Sequence, residues 1–130
     1  DNDTGDAVVI YLDGVLKQST SGVSGTFTGS FTSATIGNNA EGGGFWKGNI
    51  DEVVLFNKAL DSTEVSSLYN DGLPFNPEPK DNMKGYWKMG DGGIVGNPIA
   101  TFPTIVDETG NNNGTMTNMT STDFVADVPE

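Results

Sequence analysis

The side chains that could do chemistry in this chain are carboxylates, because its 130 residues include no histidine and no cysteine. That composition removes the usual general base, the usual zinc ligand and all thiolate chemistry. A retaining glycosidase would still need two carboxylates about 5–5.5 Å apart on one face. Asp51 and Glu52 are adjacent, so on a strand they point to opposite faces. The sequence therefore predicts a protein that is not an enzyme.

The net charge of the chain limits the classes of partner that it can bind. Six lysines oppose 18 acidic residues, which gives a net charge of −12. Nucleic acids and anionic membranes both require clusters of basic side chains, so we expect neither as a partner. A surface of this kind suits divalent cations, or it serves only to keep the protein in solution.

Most of the elements that must position these residues are predicted strands. The sequence AVVIYLDGVLKQS, from residue 7, predicts a hairpin whose two-residue turn is Asp13-Gly14. A short strand is predicted over Ala34–Gly37, before a loop over 38–44. The run Ile50–Phe56 is apolar on both faces, which predicts a strand covered on both sides.

One short helix is predicted directly after that strand. Asp61 is its expected N-cap, and Glu64 completes a capping box. An apolar stripe, formed by Val65, Leu68 and Tyr69, should dock the helix on the sheets as a plug. Gly72 is expected to end the helix in the left-handed conformation.

The remainder of the chain predicts further strands after a proline-rich linker. They lie at Tyr86–Trp87, at 104–106 and at 115–119, with a polar loop over 107–114 between the last two. The final segment DFVADVP predicts an edge strand ended by Pro129.

The segments YLDGVL, IGNN and GFWKGNIDEVVLFNKALDSTEVSSLYNDG occur in an order and spacing that resemble a known family. Residues 6–73 resemble the second half of a laminin-G-like domain of the concanavalin A-like lectin and glucanase superfamily. The resemblance implies an all-β fold, an antiparallel two-sheet jelly-roll sandwich with one short α-helix.

Residues 84–130 are similar to the opening strands of such a domain, through KGYWKMGDGG and IVDETGNNNGTMTN. We therefore divide the chain into the second half of a sandwich (1–73), a proline-rich linker (74–83) and a tail (84–130). The tail is expected to pack on the same or a neighbouring sandwich. Either the chain is the C-terminal portion of a longer protein, or neighbouring copies complete a minimal sandwich. The tail also resembles structural and adhesion proteins of marine bacteriophages.

The resemblance implies a calcium site where the first and last strands of the family run side by side. Carried over, the ligands are the side chains of Asp51, Asp107, Asn111 and Asn113 and carbonyls near Gly110 and Gly114. Hard oxygen ligands of this kind suit Ca²⁺, although the loop lacks the frame of an EF-hand. The alternative is that Asp51 bonds the loop directly, without an ion.

Carbohydrate binding, frequent in the family, would use an aromatic platform and polar loop side chains. Trp46 is the best platform, followed by Trp87 and Tyr86. The polar side chains beside Trp46 are Asn38, Asn39 and Glu41. An exposed tryptophan stacks on a sugar, whereas a buried one belongs to the core, so exposure separates the two interpretations.

These observations together predict a non-catalytic structural or adhesive module of an extracellular assembly. A bacteriophage virion is the first choice of setting, and the partners would be further copies or other virion or surface subunits. The alternative is a lectin-like carbohydrate-binding module of a secreted or cell-surface bacterial protein.

Overall fold

A computed structural model describes residues 7–22, 33–39, 43–73, 82–89, 103–120 and 123. These residues form six β-strands, one α-helix and one 3-10 turn. The strands pair into three two-stranded sheets. The all-β class with one short helix is therefore confirmed, and the sheets are small and open. The chain divides into two compact units, Asp1–Gly48 with Asp61–Gly72 and Asn49–Leu60 with Leu73–Glu130.

The first unit contains the predicted hairpin. Strands β1 (Ala7–Leu12) and β2 (Val15–Ser21) are antiparallel. Asp13 and Gly14 have φ values of 52° and 69°, as the two central residues of a type I′ turn require. The register shifts next to Ile10, which pairs with Gln18, so that Lys17 is an extra residue on β2. This bulge bends the second strand.

Helix α1 (Ser62–Tyr69) begins as its sequence predicts. The Asp61 carboxylate accepts hydrogen bonds of 2.9 Å from the backbone N–H groups of Thr63 and Glu64. The Glu64 carboxylate accepts in return from the Asp61 N–H, at 3.1 Å. Both halves of the capping box are therefore present. No described helix is long and apolar enough to span a membrane.

The helix ends differently from the prediction. Asn70, at φ 47°, is the left-handed C-cap, and a 3-10 turn over Asn70–Gly72 follows. Gly72 is also left-handed, at φ 80°, but it lies two residues beyond the cap. Asparagine tolerates this conformation better than most residues, which explains why the helix stops before the glycine.

The apolar stripe of α1 is half-buried rather than buried. Val65 and Leu68 are partly covered, and Tyr69 is 38% exposed. The Tyr69 ring lies against the hairpin turn, where a Cβ on Gly14 would come within 2.7 Å of it. The helix thus packs on the end of the hairpin through one aromatic side chain.

The second unit brings together strands that are far apart in the chain. Strand β3 (Val53–Phe56) pairs antiparallel with β4 (Met83–Trp87). Strand β5 (Thr104–Ile105) pairs with β6 (Gly114–Thr115), and a bridge joins Trp87 to Asp107. Met83, Tyr86 and Asp107 are the buried side chains among the described residues.

Three predicted strands change in the structure. Residues 34–37 form no strand and bends lie at residues 36–38, where the Thr35 hydroxyl donates to the Asn38 carbonyl, a local bond that competes with strand formation. The strand predicted from Ile50 begins only at Val53, because Glu52 has a φ of 50°. The strand predicted over 115–119 is reduced to Gly114–Thr115.

The prediction that β3 is covered on both faces is wrong. Leu55 is 56% exposed, while the other three residues of the strand are half-buried. Its sheet contains only two strands, and no second layer of described residues covers the face that carries Leu55. The predicted strand over 123–129 and the linker 74–83 lie wholly or mainly outside the described residues.

Candidate functional site

The buried carboxylate of Asp107 organises the second unit. Its side chain is 1% exposed. Oδ1 accepts hydrogen bonds from the backbone N–H of Tyr86 at 2.8 Å and of Thr109 at 3.0 Å. Strand β4 and the loop that follows β5 are therefore joined at one oxygen atom.

The second oxygen, Oδ2, is also fully engaged. It accepts from the Thr109 hydroxyl at 2.7 Å and from the backbone N–H groups of Asn112 and Asn111 at 2.9 and 3.3 Å. The Asn112 side-chain amide approaches it at 3.4 Å. A carboxylate offers about four lone-pair directions, so these donors occupy all of them.

Hydrogen bonding decides the protonation state of this group. Burial by itself raises the pKa of Asp107, because it disfavours the charged form. The hydrogen bonds from the Thr109 hydroxyl and from the backbone of Tyr86, Thr109 and Asn112 lower it and outweigh burial. The pKa of Asp107 therefore lies well below its usual range, and the side chain is ionised.

We call residues 107–113 the Asp107 loop. Besides the bond from Tyr86, three hydrogen bonds fasten this loop to β4. The Glu108 N–H donates to the Tyr86 carbonyl at 2.8 Å, and the Asn112 amide donates to the Lys84 carbonyl at 2.8 Å. The Trp87 indole N–H donates to the Asn112 carbonyl at 2.9 Å. The loop and β4 thus form one hydrogen-bonded unit.

The acidic pair before β3 has two separate roles. Asp51 accepts a 3.0 Å hydrogen bond from the N–H of Glu52. The Glu52 carboxylate accepts a hydrogen bond from the Tyr86 hydroxyl. The residue that ties the entry of β3 to β4 is therefore Glu52, which the sequence reasoning missed. Neither its left-handed backbone nor a partner 34 residues away can be read from local spacing.

Asp107 and Asn113, two of the predicted calcium ligands, already accept hydrogen bonds from this chain, and calcium binding stays a prediction. Both oxygens of Asp107 are filled, and the Asn113 side-chain oxygen accepts from the Asp107 N–H at 2.9 Å. The Asn111 side-chain amide donates to the Thr109 carbonyl at 3.0 Å, while Gly114 lies in β6. No three acidic side chains of the described residues gather around a possible metal position. Donors of this chain thus occupy both side-chain oxygens of Asp107 and the side-chain oxygen of Asn113.

The second candidate site is the loop over residues 35–48, which we call the Trp46 loop. The Trp46 N–H donates to the Gly37 carbonyl at 2.8 Å. The Gly43 N–H donates to the Asn39 side-chain oxygen at 2.7 Å. Glu41 lies outside the described residues. The structure thus brings Asn38, Asn39 and Trp46 into one closed loop.

Trp46 is not a core residue. Its side chain is 64% exposed, and the neighbouring Phe45 is 63% exposed. The indole runs beside the backbone of Gly48, where a Cβ would come within 3.2 Å of Nε1. The ring is therefore supported on one side while most of it faces solvent.

Asn38 adds a polar feature to the same loop. Its side-chain oxygen is buried and has no hydrogen-bond partner within the part of the chain that the structure describes. Unpaired buried acceptors are rare in folded proteins and mark places where a water or a ligand completes the structure.

Comparison with known proteins agrees with the resemblance noted above. Residues 1–66, just over half of the chain, match a laminin-G family model described as the concanavalin A-like lectin/glucanases superfamily. No curated protein and no solved structure matches the chain. The similarity of the tail to phage proteins therefore stays a prediction.

Proposed function

Because the chain belongs to the concanavalin A-like lectin/glucanases superfamily, we propose that it is a non-catalytic binding module that contacts carbohydrate through the Trp46 loop. The observation that carries this proposal is the 64% exposure of Trp46. A sugar ring presents C–H groups that pack on an aromatic face, and amide side chains beside it can bond hydroxyl groups. Asn38 and Asn39 lie in the same loop as the indole.

The state of the carboxylates supports a non-catalytic role. A glycosidase needs a general acid whose pKa is raised. The pKa of the buried Asp107 is instead lowered, so this carboxylate has no proton to give near neutral pH. Glu52 is engaged by the Tyr86 hydroxyl, a position that suits a structural acceptor.

Structural assembly is the second candidate function, and the β1–β2 hairpin favours it. Its large apolar side chains are exposed, among them Ile10 at 52% and Leu12 at 58%. We propose that strands of neighbouring copies complete the small open sheets into the jelly-roll sandwich of the family. The net charge of −12 suits an extracellular particle or cell surface, and a phage virion is one such setting.

Affinity electrophoresis tests the carbohydrate proposal. The chain is run through native gels that contain a galactomannan, a xyloglucan or a mixed-linkage β-glucan, beside gels without polysaccharide. We expect retardation in at least one gel, lost in Trp46→Ala, with an unchanged circular dichroism spectrum. Leu55→Ala is the matched control, since it removes another exposed apolar side chain outside the loop. No retardation by any polysaccharide, or equal retardation of Trp46→Ala, would contradict the proposal.

A further inference from the structure

The β1–β2 hairpin exposes more apolar side chain than a stable ribbon tolerates. Six large apolar residues in this one element are 43–58% exposed: Val8, Val9, Ile10, Leu12, Val15 and Leu16. A two-stranded ribbon with both faces in water is marginally stable at best. A contiguous apolar surface of this kind marks an interaction site.

The register assigns these residues to the two faces of the hairpin. Cross-strand partners share a face, so Leu12 and its partner Val15 lie with Val8 and Ile10. We call these four residues the Ile10 face; each is 52–58% exposed. The opposite face carries Val9, Tyr11 and Leu16 beside two serines, and Tyr11 is partly covered. Gln18 and Thr20, the partners of Ile10 and Val8, lie on the same side as the Ile10 face and are uncharged. The large apolar side chains of the Ile10 face are thus the more exposed set of the two.

The charge distribution indicates what can cover this face. Residues 7–22 contain one acid, Asp13, and one base, Lys17, so the hairpin is neutral. The whole net charge of −12 therefore lies on the rest of the chain. Two copies repel each other over most of their surfaces, and the hairpin is a region where they can approach without repulsion.

We propose that the Ile10 face packs against the same face of a second copy of this chain, about a two-fold axis. The contact is isologous, because each copy offers the same four side chains to the other. The two hairpins then form layers about 10 Å apart, as in a sandwich of two sheets.

Layering is favoured over pairing through the outer edge of β2. That edge carries Lys17 at the bulge, and charged residues and bulges both protect an edge from pairing with another chain. The face has no such protection, since none of its four residues is charged. The contact is independent of the Trp46 loop, so its test and the carbohydrate test can fail separately.

Light scattering behind a sizing column tests the contact, with the wild-type chain beside Ile10→Lys. Ser19→Lys is the matched control, because it adds the same charge on the opposite face of the hairpin. We expect a dimer for the wild type and the control, and a folded monomer for Ile10→Lys. Raising the salt from about 20 mM to about 500 mM should strengthen the dimer, because salt screens the repulsion between the acidic surfaces.

A cross-link provides a readout that does not depend on the stability of Ile10→Lys. The chain has no cysteine, so Ile10→Cys introduces a single thiol. We expect a disulfide-linked dimer on oxidation of Ile10→Cys and little from Ser19→Cys. A wild-type monomer at all concentrations, a dimer that Ile10→Lys leaves intact, or equal cross-linking of both cysteine variants would overturn the proposal.

Discussion

Replacing Asp107 by asparagine removes one of the two carboxylate oxygens that join β4 to the Asp107 loop. Asparagine keeps the size of the side chain and one acceptor oxygen, which can still serve the N–H groups of Tyr86 and Thr109. Its amide NH₂ then occupies the position of Oδ2 and faces groups that are themselves donors. Among the backbone donors, the N–H of Asn112 is the closest at 2.9 Å. The Thr109 hydroxyl can rotate and accept, but a backbone N–H cannot.

The size of the loss follows from these contacts. A hydrogen bond to a charged acceptor contributes about 1.5–3 kcal/mol, and a stranded buried donor costs about 1–3 kcal/mol. The variant no longer buries a charge, which offsets part of this loss. We expect Asp107→Asn to lower the free energy of unfolding by about 2–4 kcal/mol, or the melting temperature by roughly 10 °C.

Thermal and urea unfolding followed by circular dichroism measure the change. Glu108→Gln is the control, since it neutralises an exposed acid of the same loop, next to Asp107. A loss below about 0.5 kcal/mol for Asp107→Asn, or an equal loss for Glu108→Gln, would refute the role assigned to the buried carboxylate.

The same carboxylate predicts a dependence of stability on pH. Its pKa is lower in the folded than in the unfolded chain, so it stabilises the fold above the unfolded value of about 3.9. That contribution is lost progressively as the pH falls further towards the folded pKa. The wild type should therefore lose more stability than Asp107→Asn on acidification from about pH 5 to about pH 2.5.

Three further predictions concern close contacts and metal. Gly85→Ala places a methyl group inside the Trp87 ring and should cost about 1–3 kcal/mol with a change in tryptophan fluorescence; an unaltered melt and spectrum would contradict this contact. Gly14→Ala, at φ 69° and against Tyr69, should lower the free energy of unfolding by about 1–3 kcal/mol in urea titrations. An unchanged free energy of unfolding would contradict the contact between the helix and the hairpin turn. Because donors of this chain occupy both oxygens of Asp107, EDTA and added Ca²⁺ should both leave the melting temperature unchanged; a drop in EDTA that Ca²⁺ reverses would support the calcium hypothesis instead.

Local chemistry made part of the fold predictable from the sequence. The turn at Asp13-Gly14 needs two positive φ angles, and few dipeptides supply them as readily. The start of α1 is similarly determined by two side chains three residues apart, Asp61 and Glu64. Such signals depend only on neighbours in the chain, so they can be read without tertiary structure.

The parts that could not be predicted depend on distant partners. The sequence indicated that Asp107 supplies ligand oxygens. It could not show that the backbone N–H of Tyr86, 21 residues away, donates a hydrogen bond to one of them. The helix ended at Asn70 and β3 began at Val53 because of backbone angles that propensity does not specify. The exposure of Trp46 likewise depends on what packs around its loop.

A glycan array tests the central claim of a non-catalytic carbohydrate-binding module most directly. The labelled chain is applied beside Trp46→Ala, retained protein is measured, and the released material is analysed for cleaved sugars. We predict retention on a restricted set of glycans, its loss in Trp46→Ala, and intact glycans after incubation. Cleaved glycans, no retention at all, or equal retention of the variant would contradict the account.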